Sequence, residues 1–444
     1  MKENNILFIC TPSVGILDNW LPVLYNLKKR RTNHSFVFVA PQSNSIDAID
    51  EASLLFILAK DIFDRIIFRS WFGHWLSAVS FAEAKQINKR KYFAKIIYRI
   101  SESFSSRGYK RISSLLINLY LIFKNYKNNY CKLQEELKQT DCVLYDMHVH
   151  IKSYNYDLMK AVEGVKKYSI CHGLGVLNQT KGRSKIANED TSNITAYLYS
   201  EHEREHYKGV FGLSDANLQI VGVPRHSSSW MKFILEHEKG ISGEIGEGFI
   251  FVISRPILFK FLSRKAKRKS LEYIWRLGDE LNKKIVVKLH PKEKRDGLCE
   301  EVFRKSHYGE KWFYSNSHPF ILGQKSAFAI SFQSGVSIDL IPLGVPTIEL
   351  LDLRGIPEYD NKDALRDQNG SPVFSYRYYG LVLGANDYND LKFQAERIIN
   401  DRASILNQLH VQYNKFFAKI EKADVVVADQ IMAGLALRER SFTF

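Results

Sequence analysis

Cysteine is scarce in this chain. Cys10, Cys131, Cys142, Cys171 and Cys299 are scattered, odd in number, and form no CxxC pair. That argues against a disulfide scaffold or a structural zinc site and suits a reducing cytosol. Long apolar runs are missing too. No stretch approaches the about 18 residues a transmembrane helix needs. The start, MKENNILFIC, passes directly into a strand pattern and lacks the apolar core and small-residue cleavage site of a signal peptide. There is no strong GxGxxG or GxxxxGK phosphate loop, and no repeat at a period of about 20–50 residues. Acid is in deficit: 48 Asp and Glu face 63 Lys and Arg, for a net charge of +15. That balance favours an anionic partner, whether nucleic acid, anionic lipid or a phosphorylated substrate.

At 444 residues, the length prior gives two or three domains. Asn5–Cys10 and Ser35–Ala40 read as strands around a helix at Leu17–Leu27, a βαβ opening. Ile46–Arg69 alternates helical and strand-like patches. About 70–135 reads as long, helical and free of strand signals. Strand patterns return at Asp141–Tyr145, Tyr168–His172, Ile194–Ser200 and Leu218–Val221. Glu236–Gly248 is polar and glycine-rich, the best linker candidate. A second βα series follows: Phe249–Ser254, helix Lys265–Leu281, Ile285–Leu289, Trp312–Tyr314, Ala327–Ser331, a helix at Val336–Pro342, and Val345–Leu350. Asp363–Tyr379 reads as loop and Asp387–Leu409 as helix. The fold class is therefore α/β. Two facing Rossmann-like domains are expected, 1–235 and 249–444, the first carrying a basic helical insertion. A cleft between such domains is a common small-molecule site.

Two stretches carry most of the chemistry. Ile285–Glu293, IVVKLHPKE, is a buried-strand pattern that breaks into a turn offering Lys288 and His290. Ile330–Leu350, ISFQSGVSIDLIPLGVPTIEL, breaks into a turn offering Ser331, Gln333, Ser334 and Gly335. In a parallel α/β sheet, ligands bind outside the carboxyl ends of the strands. Two such turns suggest a nucleotide or sugar-phosphate site. Lys288 and His290 would supply positive charge or N–H groups to a phosphate that leaves as a dianion. Ser331, Gln333, Ser334 and Gly335 would surround that phosphate with hydroxyl and N–H groups, although a plain helix cap also accounts for the serines. Ser254 and Arg255 end the first strand of the second domain, where a guanidinium clamps a diphosphate or simply makes a surface ion pair. Glu349 would accept from ribose or sugar hydroxyls, or lie at a solvated strand end. Asp146, His148 and His150 form DMHVH after a strand. They have ligand-type side chains but no further spacing to complete a metal set, so neither metal nor cofactor is expected.

The order His172-Gly173, then Gly222-Val223-Pro224-Arg225-His226, then Lys288-Leu289-His290-Pro291, then Ser331 to Asp339 resembles the GT-B glycosyltransferases of bacterial surface polymers. The pattern is similar to the CDP-glycerol glycerophosphotransferases of teichoic acid synthesis, and to capsule transferases that use CMP-activated Kdo or sialic acid. The likeness spans roughly Tyr168–Leu350. Gly335 stands where the family pattern has a second serine, and the acid that follows GYPRN in the family pattern is missing here, with His226 and Ser227 at that point. The resemblance implies a cytidine-activated donor held by the second domain and a lipid-linked glycan acceptor held by the first. It implies His172 as the general base on the acceptor hydroxyl, a role an imidazole suits. A histidine merely hydrogen-bonded at a strand end is the plain alternative. Asp146 is the next candidate for base, and Arg225 would meet acceptor phosphate.

Between Lys85 and Lys127, eleven Lys or Arg face one acid, Glu102, with Tyr92, Phe93, Tyr98, Phe104, Tyr109, Tyr120 and Phe123 interleaved. Basic residues with aromatics are the ingredients of an interfacial helix, so peripheral docking to the anionic inner face of the cell membrane is expected. A solvated face is the plain reading. No nucleic-acid-binding motif accompanies the charge. Two rivals remain: a UDP-sugar 2-epimerase of the same architecture, working without an acceptor, and a non-catalytic polyanion-binding protein.

Overall fold

The computed structural model describes residues 4–10, 14–30, 33–50, 53–70, 74–107, 109, 111–117, 133–147, 158, 159, 162, 164–174, 191–237, 245–258 and 260–441. These residues form two sheets. The first joins β1 (Asn4–Ile9), β2 (His34–Ala40), β3 (Arg65–Arg69), β4 (Trp75–Ala78), β5 (Thr140–Tyr145), β6 (Lys166–Ile170), β7 (Ile194–Leu198) and β8 (Leu218–Ile220) in the order β4-β3-β2-β1-β5-β6-β7-β8. All its pairs are parallel except β3 with β4. The second joins β9 (Phe249–Ile253), β10 (Ile285–Lys288), β11 (Trp312–Tyr314), β12 (Ser326–Ser331), β13 (Thr347–Leu350) and β14 (Leu383–Ala385) in the order β11-β10-β9-β12-β13-β14, all parallel.

The central strands are apolar without alternation because helices cover both faces. Every residue of β9, FIFVI, is buried, as are Ile6 through Ile9 of β1. Helix Arg264–Glu280 shows how the layers are made. Ser263 caps it by accepting from the Ala266 N–H at 3.1 Å, and Leu271, Ile274 and Leu277 lie against the sheet. Gly278 lets it sit close to β10: a Cβ there would lie 3.0 Å from Ile285 Cδ1.

Strand order reverses between β1 and β5 in the first sheet, and between β9 and β12 in the second. Crevices open at such points at the carboxyl ends of strands. The chain then crosses back. Helix Ala423–Ser441 packs on α1 (Val14–Lys29), where Asn26 Nδ2 donates to Asp424 Oδ2 at 2.9 Å and Arg30 pairs with Asp429 at 2.7 Å. Strands β1–β8 lie before residue 236 and β9–β14 after residue 248, while this last helix packs on α1. The crossing passes close by Gly222, whose φ is +73° and whose added Cβ would meet the Ala418 carbonyl oxygen at 2.7 Å.

Other expectations need correction. The stretch from about 70 opens with a strand, β4, the antiparallel edge of the first sheet; helix Phe81–Ser106 follows. Asp387–Leu409 is two helices, because the Asp401 carboxylate caps a second one at Ser404 N. The short helix Pro319–Lys325 and strand β14 give too few residues for a periodic signal. The expected strand Tyr168–His172 ends at Ile170, so His172 lies in the turn beyond it.

Candidate active site

On the first sheet, β5 and β6 are neighbours, so the residues just past their ends meet. Asp146 is fully buried, and its Oδ2 accepts from the His172 backbone N–H at 3.0 Å and from His172 Nδ1. The imidazole itself is 42% exposed. A buried carboxylate on Nδ1–H fixes the tautomer and leaves Nε2 as the basic nitrogen facing outward. The turn is held from below by α1. Asn19 Nδ2 donates to the Cys171 carbonyl at 2.7 Å and to Tyr199 OH at 2.9 Å, while Tyr199 OH donates to the same carbonyl. Trp20 Nε1 donates to the Tyr145 carbonyl at 3.1 Å.

On the second sheet, the turns after β9, β10 and β12 converge. Arg255 Nη1 donates to the Gln333 carbonyl, tying the β9 end to the β12 turn, and its guanidinium lies 5.2 Å over the Phe261 ring. Gln333 holds φ +63°, an uncommon conformation for a non-glycine residue. Ser331 is buried and accepts from Ser337 Oγ at 2.9 Å; Ser334 Oγ accepts from Val336 N at 3.3 Å. His290 Nδ1 accepts from Lys292 N at 3.1 Å, which makes Nε2 the proton-bearing nitrogen. Burial, helped by Arg255 and Lys292, pushes this imidazole down to about 4. His290 therefore offers a neutral N–H donor; of the charge or N–H expected from it, the N–H remains. Lys288 ends the regular strand and donates to the carbonyls of Ser317 (2.8 Å) and Asn316 (3.0 Å), bracing the loop after β11. Ser254 Oγ donates to Glu293 at 2.9 Å. Glu349, paired in register with Ser331, is 2% exposed. Burial pushes its carboxyl up to about 7 against the pull of Arg377 and Arg255, and its Oε2 has no hydrogen-bond partner among the described residues.

The two halves touch at the crevice. Tyr376 OH donates to the Leu174 carbonyl at 2.9 Å, and a Cβ on Gly335 would lie 3.9 Å from Leu174 N. Leu174 is two residues past His172, so the imidazole turn and the Ser331–Gly335 turn lie close across the crevice.

Beneath them lies a buried clasp. Arg225, expected at the acceptor, is 4% exposed; it grips Asp339 through Nε (2.8 Å) and Nη2 (3.1 Å) and reaches Asp18 at 3.4 Å. Asp339 also accepts from His226 Nε2 at 2.7 Å, and His226 Nδ1 meets Tyr413 OH at 2.6 Å. His318 Nε2 lies 3.3 Å from Asp18. Burial alone would raise the Asp18 carboxyl, but His318, Arg225 and His226 hold it below its usual range. Two of the sequence motifs thus meet each other: the Arg225-His226 pair of one locks the Asp339 that ends the other.

Among the described residues, Asp146, Cys171 and His172 form a group with ligand atoms within 4.8 Å of one another. Asp146 already holds the imidazole, so this set reads as a base and its support. His148 and His150 lie outside the described residues. Sequence reasoning missed Asp18, Asn19 and Glu293. A polar DN pair inside an otherwise apolar helix face, and the H-x-x-E spacing of His290 and Glu293, were the available signals.

Two Rossmann-like units facing across such a crevice make the GT-B architecture. Neither family models nor curated proteins match the sequence. Solved structures do match along nearly the whole chain. A UDP-GlcNAc 2-epimerase of Methanocaldococcus jannaschii, in complex with UDP-GlcNAc and UDP, shows a TM-score of 0.52 at 12% identity, covering 97% of this chain and 99% of its own. The wall teichoic acid polymerase TagF shows a TM-score of 0.51 at 13% identity, covering 99% and 90%. A UDP-GlcNAc 2-epimerase of Neisseria meningitidis bound to UDP-GlcNAc shows 0.51 at 13%, covering 97% and 100%. At such identities the likeness is one of fold. No described helix is long and apolar enough to cross a membrane.

Proposed function

We propose that this chain is a GT-B glycosyltransferase. It moves a sugar, or glycerol phosphate, from a cytidine-activated donor to a lipid-linked glycan in capsule or O-antigen synthesis. The observation that carries the reading is the His172–Asp146 pair set across the crevice from the β9, β10 and β12 turns. In this reading His172 Nε2 takes the proton of the acceptor hydroxyl as that oxygen attacks, and Asp146 stabilises the imidazolium. The departing nucleotide phosphate receives N–H donors from His290 and the Ser331–Gly335 turn, with Arg255 adjacent. Glu349 takes the ribose hydroxyls. The acceptor comes from the anionic inner membrane surface, onto which the basic helical face docks.

The epimerase reading draws on the same architecture, since solved UDP-GlcNAc 2-epimerases share it. One assay separates the readings. The full chain is incubated with a panel of CMP-, CDP- and UDP-activated sugars and CDP-glycerol, with and without oligosaccharide acceptors. A transferase releases CMP or another nucleotide only when acceptor is present; an epimerase converts UDP-sugar without one; a polyanion-binding protein does neither. With the active pair in hand, His172→Ala should cut kcat by at least about 10²-fold while donor affinity stays within a few-fold. Collapse of donor affinity instead would remove His172 from the role of base.

A further inference from the structure

Beneath the donor turns lies an ion pair that no step above uses. Lys267 comes from helix Arg264–Glu280 and Glu293 from the turn after His290; their side chains are 2% and 7% exposed and in direct contact. Each also reaches the turns. Glu293 Oε1 accepts from Ser254 Oγ at 2.9 Å, and Oε2 accepts from the His290 backbone N–H at 3.2 Å. Lys267 Nζ donates to the Arg255 carbonyl at 2.7 Å. The Glu293 N–H returns to the His290 carbonyl at 2.7 Å, closing a tight turn in which Lys292 N points at His290 Nδ1. Burying two charges costs more than their attraction returns unless other hydrogen bonds satisfy them. Here the other bonds all go to Ser254, Arg255 and His290.

We propose that Lys267 and Glu293 are positioning residues for the donor site: together they hold the Arg255 and His290 turns in register and set His290 as the Nε2–H tautomer that faces an anionic nucleotide. The inference rests on the donor site proposed above. Glu293 fixes the turn that brings Lys292 N to Nδ1. Lys267 neutralises Glu293 and pins the β9 end, so Arg255 and His290 approach one phosphate from two adjacent strands.

The test uses the ¹⁵N-labelled full chain, with His290 assigned through His290→Gln. Histidine ¹⁵N–¹H spectra should show His290 as the Nε2–H tautomer at neutral pH. Replacing both members, Lys267→Met with Glu293→Gln, leaves no unpaired charge buried. It should scramble that tautomer and weaken CDP and UDP binding by about ten-fold or more. Should that variant not fold, Glu293→Gln alone keeps the shape and one acceptor oxygen and is read the same two ways. A paired variant that keeps both the tautomer and wild-type CDP and UDP affinity overturns the assignment. Wild-type protein that binds neither nucleotide overturns the donor site, and the tautomer readout still decides the positioning role.

Discussion

Glu349 carries a pH-dependent stability cost at a single residue. Its carboxyl is buried beside Ser331, and burial moves it up to about 7. A carboxyl near 4.5 in the unfolded chain and near 7 in the folded one binds more protons when folded. Its protonated form therefore favours folding below about pH 4.5, and that contribution is lost progressively as pH rises from there through 7. The loss at pH 8 amounts to about 3 kcal/mol. Glu349→Gln should accordingly raise the urea midpoint at pH 8 and leave it nearly unchanged at pH 4, and, if the carboxyl meets the donor as proposed, nucleotide affinity should fall. Equal shifts at both pH values would show that the carboxyl is not protonated in the folded state. Legibility at this scale followed chemistry near strand ends. His172, Asp146, His290 and Ser331 stood out in the sequence because each follows an apolar run, and the structure places all four at or just past strand ends. Arg225 was readable as important but not as internal, because its two carboxylate partners lie 207 and 114 positions away. Asp18 and Asn19 looked like ordinary polar positions, since the groups they hold come from other elements.

At the scale of elements, the two βα series were legible because parallel strands buried on both faces leave uninterrupted Val, Ile and Phe runs. What failed was short or antiparallel: β4 reads WLSA and β14 reads LGA, too few apolar residues to count. Helix Phe81–Ser106 leaves Tyr92, Phe93, Tyr98 and Ile100 between 40% and 55% exposed, and Ile112 and Leu115 follow at 45% and 64%. Lys89, Arg99, Arg107 and Arg111 are exposed alongside them. Charge and apolar surface together fit an interfacial face, each basic group worth about 1 kcal/mol against anionic lipid. Changing these four basic residues to Glu should move the protein from the pellet to the supernatant when sedimented with phosphatidylserine vesicles at low salt. Turnover of a short soluble acceptor should persist. Wild-type protein that never sediments would make the face a solvated or acceptor-binding one.

For the whole molecule, the clasp decides how the two units stand. Arg225 and His226 follow the first sheet, Asp339 and His318 belong to the second, and Asp18 comes from α1. Removing one partner strands the others in a dry interior. Asp339→Asn should therefore lose about 3–5 kcal/mol of stability. Urea unfolding followed by tryptophan fluorescence should split from one transition into two as the units uncouple. A change under about 1 kcal/mol with a single transition would place the coupling elsewhere, in the packing of the last helix on α1.

That last helix also has a consequence in time. Asn26 and Asp424 are bonded to each other and 398 positions apart. A ribosome adding about 5–20 residues per second needs roughly 20–80 s to travel between them. Throughout that interval the surface of α1 that the final helix covers in the folded chain is without that partner. The order of synthesis runs against the order of assembly: the unit that is made first is the last to be finished.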